Sequence, residues 1–208
     1  MEQHEDGRTG DGAEDWDARY ADGGQQLWSG RPNGGLVDEA GELVPGTALD
    51  VGCGEGADAI WLAQRGWRVT AVDISEVAIE RARRAAAAAG ADVEWLVADV
   101  TAEPLDRRFD LVSLQYPALR HDPDGATIRA LLGAVAPGGT LLHVGHDLTG
   151  HEHHTGFDPA DYVQPGDVAS QLDASWSVDV HEVRRRTPPP GHRGPDVPDV
   201  VLRARRIR

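Results

Sequence analysis

The chain contains no lysine: all 20 of its basic residues are arginine. That absence excludes a Schiff-base mechanism and a Walker-type phosphate loop, which both need an amine at a fixed place. An all-arginine composition also points to a GC-rich bacterial genome. Cysteine is nearly absent too. With Cys53 alone, the chain has no disulfide framework, no cysteine-rich metal site and no thiol pair for redox work. Positive charge is scarce: 35 acids against 20 arginines leave a net charge of −15. Nucleic acid is therefore disfavoured as a partner, because non-specific affinity for it comes mainly from neutralising phosphates. No apolar run reaches the roughly 18 residues of a membrane span, and the start is unlike a signal peptide, so a cytoplasmic protein without membrane contact is expected. What is present, 208 residues with 40% hydrophobic content, suits one domain with a sizeable core and a small-molecule partner, as a monomer or homodimer.

The most informative stretch is TALDVGCGEGADAIWLAQRGWRVTAVD, residues 47–73. It reads as strand, tight glycine turn, helix, strand. Leu49 and Val51 belong to a buried parallel strand, and Gly52, Gly54 and Gly56 carry no Cβ to keep a ligand from the backbone. A helix starting near Glu55 directs free N–H groups at that space, and the next strand ends on Asp73, 21 positions after Gly52, where an acid suits a ribose diol. The same spacing satisfies a loose dinucleotide fingerprint, so the pattern alone leaves two cofactor classes open.

Residues 1–14 are acidic and glycine-rich with almost no apolar side chain, and they are expected to lack structure. Order should begin at Trp16. Trp16, Tyr20, Leu27 and Trp28, followed by Ser-Gly-Arg31-Pro-Asn, either cover one sheet edge or close over a ligand. A short helical pattern precedes the first strand, and Ser75 caps a helix that runs to Gly90. Strands are expected at Val93–Val97, Phe109–Leu114 and Thr140–Val144, with a helix over Ile128–Val135. Strand and helix alternate, which gives a doubly wound parallel sheet. A loop over 148–166, a short helix over Val168–Leu172, and strands at Ser177–Val183 and Val200–Ile207 follow. Two strands joined without a helix pair antiparallel. The fold class is thus α/β, Rossmann-like and seven-stranded, with five parallel strands plus a C-terminal antiparallel hairpin, in a single domain over 15–208. No second domain remains to hold a hydride acceptor, which weakens the nicotinamide reading.

The series LDVGCGEG, VTAVDIS, VADV, FDLVSLQ and APGGTLL, in that order, resembles the class I S-adenosylmethionine-dependent methyltransferases over residues 47–145. The WxxxY and WSGRPN lead-in is similar to the tellurite-resistance and thiopurine-type branches, which act on small molecules. The resemblance implies S-adenosylmethionine as cofactor and S-adenosylhomocysteine as product. It places the methionine part against Gly52, Cys53 and Gly54, with Asp50 reaching the amino group. The ribose falls on Asp73, and the adenine falls between Ile74, Asp99 and Val100. Gln115 completes the cofactor set. For Asp99 the competing role is a helix cap.

Methyl transfer needs the nucleophile aligned behind the sulfonium methyl, so positioning carries much of the catalysis. Candidate catalytic residues are His146 and Tyr20, and candidate acceptor-site residues are Trp28, Arg31, Tyr116 and His121. A soft or anionic acceptor would tolerate loss of His146, which is the expectation here, whereas a neutral hydroxyl or amine would need it. Five of the nine histidines lie between His143 and His154, but His143 and His146 point to opposite faces of one strand, so no metal is assigned. Arg184-Arg185-Arg186 reads as a solvated strand end, with anion reading as the minority alternative. The string Gln115-Tyr116-Pro117-Ala118 differs from that of enzymes methylating planar amines, and a lone cysteine disfavours arsenite. A nicotinamide-dependent oxidoreductase and a non-catalytic S-adenosylmethionine-binding protein remain the alternatives.

Overall fold

The structure is a computed structural model that describes residues 12–22, 24, 26–147, 161–185 and 197–208. Thr47–Val51 (β1) is an interior strand, buried from Ala48 to Val51 as a strand covered on both faces requires. It pairs in parallel with Arg68–Asp73 (β2) on one side and Phe109–Gln115 (β4) on the other. Val93–Val97 (β3) extends the sheet beyond β2, and Val135–His146 (β5) extends it beyond β4. Asp199–Arg206 (β7) pairs antiparallel with β5, and Trp176–Arg184 (β6) closes the far edge against β7. The order β3-β2-β1-β4-β5-β7-β6 is the expected five parallel strands with an antiparallel hairpin.

Successive side chains on a strand face opposite ways. Leu111 and Val112, Leu141 and Leu142, and Val201 and Leu202 accordingly divide between two cores. Gly34–Ala40 (α2) and Ala57–Gln64 (α3) cover one of them, placing Leu36, Ala59, Trp61 and Leu62 against Leu111, Leu142 and Val201. Ala126–Gly133 (α5) and Pro165–Ser170 (α6) cover the other, with Leu131 and Val168. Glu76–Ala89 (α4) starts on Ser75, whose Oγ accepts from Ala78 N at 3.0 Å, and stops at Gly90 in the left-handed region.

Several boundaries differ from expectation. Ala13–Asp22 (α1) begins before Trp16, so Ala13 and Glu14 are helical; residues 1–11 of the expected tail lie outside those described. Its docking explains the early start, because Asp17 of α1 accepts from Ser75 Oγ (2.6 Å) and Val77 N (3.1 Å), adding a second cap to α4. α3 begins two residues after Glu55, whose carboxylate is used elsewhere. α5 ends at Gly133, and the chain is already extended at Val135, so Pro137-Gly138-Gly139 lies inside a strand with a register break opposite Phe109 and Leu111. Residues 136–139 lie opposite Asp110 alone and Gly138 has φ 81°, so the expected turn is there, as a bulge between two stretches of ladder. α6 starts at Pro165, where a fixed φ and no N–H suit a first helical turn. Helix and strand do not alternate throughout: residues 98–108, between β3 and β4, carry no helix. A surface cleft of about 810 Å³ lies beside that segment, lined by Leu49, Val100, Leu105, Arg107, Arg129 and Leu131 among others. Arg184 is also no free strand end, since it reaches Glu39 at 2.8 Å and Glu182 at 2.9 Å. No described helix is long and apolar enough to cross a membrane.

Candidate functional site

At the carboxyl end of β1 the backbone N–H groups of Gly52 and Cys53 both donate to Val72 O, at 2.9 and 3.0 Å, which folds the chain over the end of β2. Two glycines then make the turn possible. Gly54 has φ 52°, and a Cβ there would lie 2.9 Å from the Tyr20 hydroxyl; Gly56 has φ 82°, and a Cβ would lie 2.5 Å from the Trp95 ring. Asp73 closes the arrangement. Its Oδ2 accepts from Gly54 N at 2.8 Å and its Oδ1 from Ser75 N at 2.9 Å, so the acid assigned to a ligand also holds the turn in shape. Each oxygen keeps a second lone pair for a hydroxyl.

Three acids gather under this turn. Asp50 is 2% exposed and its Oδ2 has no hydrogen-bond partner. Burial, then the charges of Asp58 and Asp73, push its carboxyl well above the usual range. Asp58 is raised by burial too, opposed by Asn33, which donates from its backbone N and its Nδ2 at 2.7 Å each. Burial likewise raises Asp73, against the hydrogen bonds from Ser75 and Gly54. The Cys53 thiol is pushed up by burial and by Asp50 and Asp73, so it stays protonated and serves as turn packing.

The N-terminal segment forms the roof. Trp28 Nε1 donates to the Tyr20 hydroxyl at 3.2 Å, and both side chains border Gly54. Glu55 ties this roof to the turn: its carboxylate accepts from Leu27 N and Trp28 N at 2.9–3.1 Å and pairs with Arg81 at 2.8 Å. Tyr20 is buried and its phenol is raised, first by burial and then by Asp73. A phenol held protonated and bonded to an indole is poorly placed to act as a base. Trp28 stays 51% exposed. Arg31 is exposed in the same segment, with its backbone N–H on Ser29 Oγ.

At the β2 and β3 side, Ile74 is half-buried beside Asp73, and Val100 is buried in the core near Leu96 and Leu105. Asp99 is exposed, and its Oδ1 caps the following turn, accepting from Thr101 N (2.9 Å) and Thr101 Oγ1 (2.6 Å). The capping role weighed from sequence is thus used, although no helix follows. On the other flank, a Cβ at Gly52 would lie 3.9 Å from Pro117 Cβ, which brings the end of β4 to the glycine turn. Gln115 is buried, with Nε2 on Ser113 Oγ at 3.2 Å and Oε1 without a partner. Tyr116 stacks on His146, ring centroids 4.4 Å apart, and donates to Asp199 Oδ2 at 2.8 Å. His121 lies 3.3 Å from Asp167 of α6. His151, His153 and His154 lie outside the described residues, and among the described ones no cluster of His, Cys, Asp and Glu could hold a metal.

Sequence reasoning missed Glu55, Asn33, Asp58, Arg81 and Asp199. Glu55 had a signal, being an acid inside a glycine turn that needs none. The others are joined across 25 to 83 positions of chain, and no local pattern marks them.

The sheet order, the glycine turn at the end of β1 and the acid at the end of β2 give the Rossmann-like fold of the methyltransferases. Residues 48–139 match the model of a methyltransferase domain. Over those residues, a little under half of the chain, the protein is similar to a methyltransferase domain. A ubiquinone biosynthesis O-methyltransferase of Pseudomonas entomophila is 38% identical over 109 residues, 51% of this chain and 47% of that protein. An uncharacterized methyltransferase of Mycobacterium bovis is 43% identical over 111 residues, 52% of this chain and 55% of that one. The chain spans about half the length of the curated relatives it matches. A structure solved in work on the conversion of a disulfide bond into a thioacetal group during echinomycin biosynthesis superposes with TM-score 0.72 at 26% identity, covering 93% of this chain and 92% of that one. TehB from Haemophilus influenzae shares the fold at TM-score 0.65 and 17% identity, over 83% of this chain and 62% of that one.

Proposed function

We propose that the protein binds S-adenosylmethionine at the glycine turn and transfers its methyl group to a small-molecule acceptor by in-line displacement. The observation that carries this reading is the acid cluster beneath the turn. A dinucleotide would bring two phosphate charges to the turn, against Asp50, Asp58 and Asp73, whereas a sulfonium with an ammonium brings positive charge to the same place. The unpartnered Asp50 Oδ2 fits the ammonium, and Asp73 fits the ribose hydroxyls. When bound, the donor supplies an electrophilic methyl that needs no acid or metal to leave its sulfur. The protein's work is then to hold and shield. Gly52, Cys53 and Gly54 let the ligand meet main chain, while Ile74, Asp99 and Val100 border the adenine end and Gln115 the side toward β4. Tyr20 and Trp28 exclude water from above. Trp28, Arg31, Tyr116 and His121 border the acceptor's approach in this reading. Its remaining parts are a cytoplasmic protein, one domain over 15–208, no nucleic-acid partner, and a monomer or homodimer.

Calorimetric titration with S-adenosylmethionine, S-adenosylhomocysteine and NAD tests the reading, with binding of the first two and not the third expected. Binding of NAD alone would make it an oxidoreductase, and binding of the first two with no turnover of any acceptor would make it a sensor. The acid cluster adds a sharper expectation. A cation beside a carboxylate with a raised pKa favours its ionised form, so donor binding should release protons. Affinity should therefore be highest above the raised pKa of Asp50 and fall as pH drops through it. Titrations at one pH in two buffers of different ionisation enthalpy check this, and identical heats would remove Asp50 from the site. Trp28→Ala should weaken S-adenosylhomocysteine binding by about tenfold, the size of one large apolar contact, with the melting temperature nearly unchanged. Unaltered affinity would place Trp28 outside the roof.

A further inference from the structure

We propose that Asp199 is the positioning residue of a general base, holding His146 so that its Nε2 faces the acceptor and restricting turnover to acceptors that lose a proton, with the hydroxyl group as the class. The proposal rests on the methyltransferase reading and adds to it a residue outside the matched domain.

Asp199 opens β7 directly opposite His146, the last residue of β5. It is buried, and its two oxygens are divided between two aromatic side chains: Oδ2 accepts from the Tyr116 hydroxyl at 2.8 Å, and Oδ1 lies 3.4 Å from His146 Nδ1. That second approach is within ion-pair range without hydrogen-bond alignment, and Nδ1 is itself buried with no other partner among the described residues. The imidazole keeps 21% of its side-chain surface exposed, so the exposure falls on ring atoms other than Nδ1. A proton on Nδ1 beside the carboxylate leaves the Nε2 lone pair as the free acceptor.

Tyr116 shows that the arrangement costs something to build. It has φ 54°, the one non-glycine residue with positive φ among those described, a conformation that persists only where its surroundings hold it. Here it sets the ring against His146 and the hydroxyl on Asp199. Stapling β5 to β7 would not need it, because the ladder from Thr140 to His146 already joins them. The group stands next to the donor site through Pro117, which adjoins Gly52.

In the step this permits, the acceptor's O–C bond forms as the donor's S–C bond breaks, and the hydroxyl proton passes to His146 Nε2 and then to water. The imidazolium formed lies beside Asp199, which lowers its cost. A soft anion such as iodide has no proton to give, gains nothing from the dyad and is not the acceptor. This proposal takes the opposite side from the tolerance of His146 loss expected from sequence.

The test is nitrogen NMR of the full-length protein labelled in histidine, at a pH where imidazole is neutral, with His146→Ala assigning the resonance. The expected result is the Nδ1–H tautomer, shifting toward Nε2–H in Asp199→Asn. With labelled donor, Asp199→Asn should lose ~10²-fold or more in turnover of phenols, while its affinity for S-adenosylhomocysteine stays within about twofold. That affinity shows the variant is folded. Tyr116→Phe, which leaves the carboxylate in place, should retain the tautomer and lose less. An Nε2–H tautomer in the native protein, an unchanged tautomer in Asp199→Asn, or turnover of iodide with none of phenols would each overturn the proposal and leave the methyltransferase reading standing. Absence of S-adenosylmethionine binding would overturn both.

Discussion

Asp73→Ala should weaken S-adenosylmethionine binding by about 1.5–3 kcal/mol, roughly 10- to 100-fold, because it strands ribose hydroxyls beside a site shaped to bond them. The structure makes the loss two-fold in origin. The same carboxylate holds Gly54 N and Ser75 N, so the alanine variant also frees the turn on which the methionine part rests. Asp73→Asn separates the two effects. Its single carbonyl oxygen can replace one of the two acceptors, so it should bind more tightly than alanine and less tightly than the native protein. Calorimetry on the three proteins, with thermal melts beside it, reads the order. Equal affinity in all three would remove Asp73 from the ligand altogether.

The second large effect is on folding, in acid. His143 on β5 is in register with Leu114 and Leu202, both fully buried, and burial lowers its pKa from the ordinary 6.5 to about 3. Folding therefore keeps the imidazole neutral where the unfolded chain would accept a proton. Above pH 6.5 this costs nothing; between there and about pH 3, each unit should lower the ratio of folded to unfolded protein about tenfold. Asp50, Asp58 and Asp73 act in the opposite sense. Their folded pKa values are raised, so the strain of burying them as anions is relieved as pH falls toward their ordinary value. A comparison of native protein with His143→Leu cancels the carboxylates. The gap between the two in urea unfolding should widen from pH 7 to pH 4 in favour of leucine, by ~10²-fold or more in the unfolding constant. Parallel curves would show that His143 takes up a proton without unfolding the protein.

What could be read from sequence was what lies close together along it. Leu49 to Asp73 is one strand, turn and strand, and the glycines, the acid and their spacing occur within 25 residues, so local chemistry dictates the local shape. The hairpin was legible for the same reason. What escaped depends on packing between remote segments. α1 starts early because Asp17 finds the start of α4, and β5 begins ahead of the Pro137-Gly138-Gly139 turn because Val135 pairs with Phe109 of β4. The missing helix between β3 and β4 was assumed from the rhythm of the rest, since residues 98–108 carry too few apolar side chains to mark either outcome. Tyr20 illustrates the limit at the site. Its distance from the turn in sequence gave no sign that it would be buried above Gly54 with its hydroxyl bonded to the Trp28 indole.

Glu55 belongs to the floor of the cleft and yet fastens its ceiling, through Leu27, Trp28 and Arg81. The consequence lies in time. If a ligand lodges between the turn and the indole of Trp28, its dwell time is expected to follow the lifetime of those bonds, a latch that the ligand never touches. Product exchange would then answer to the strength of one carboxylate's grip on two amides and a guanidinium, and Glu55→Gln would quicken release far more than it weakens capture.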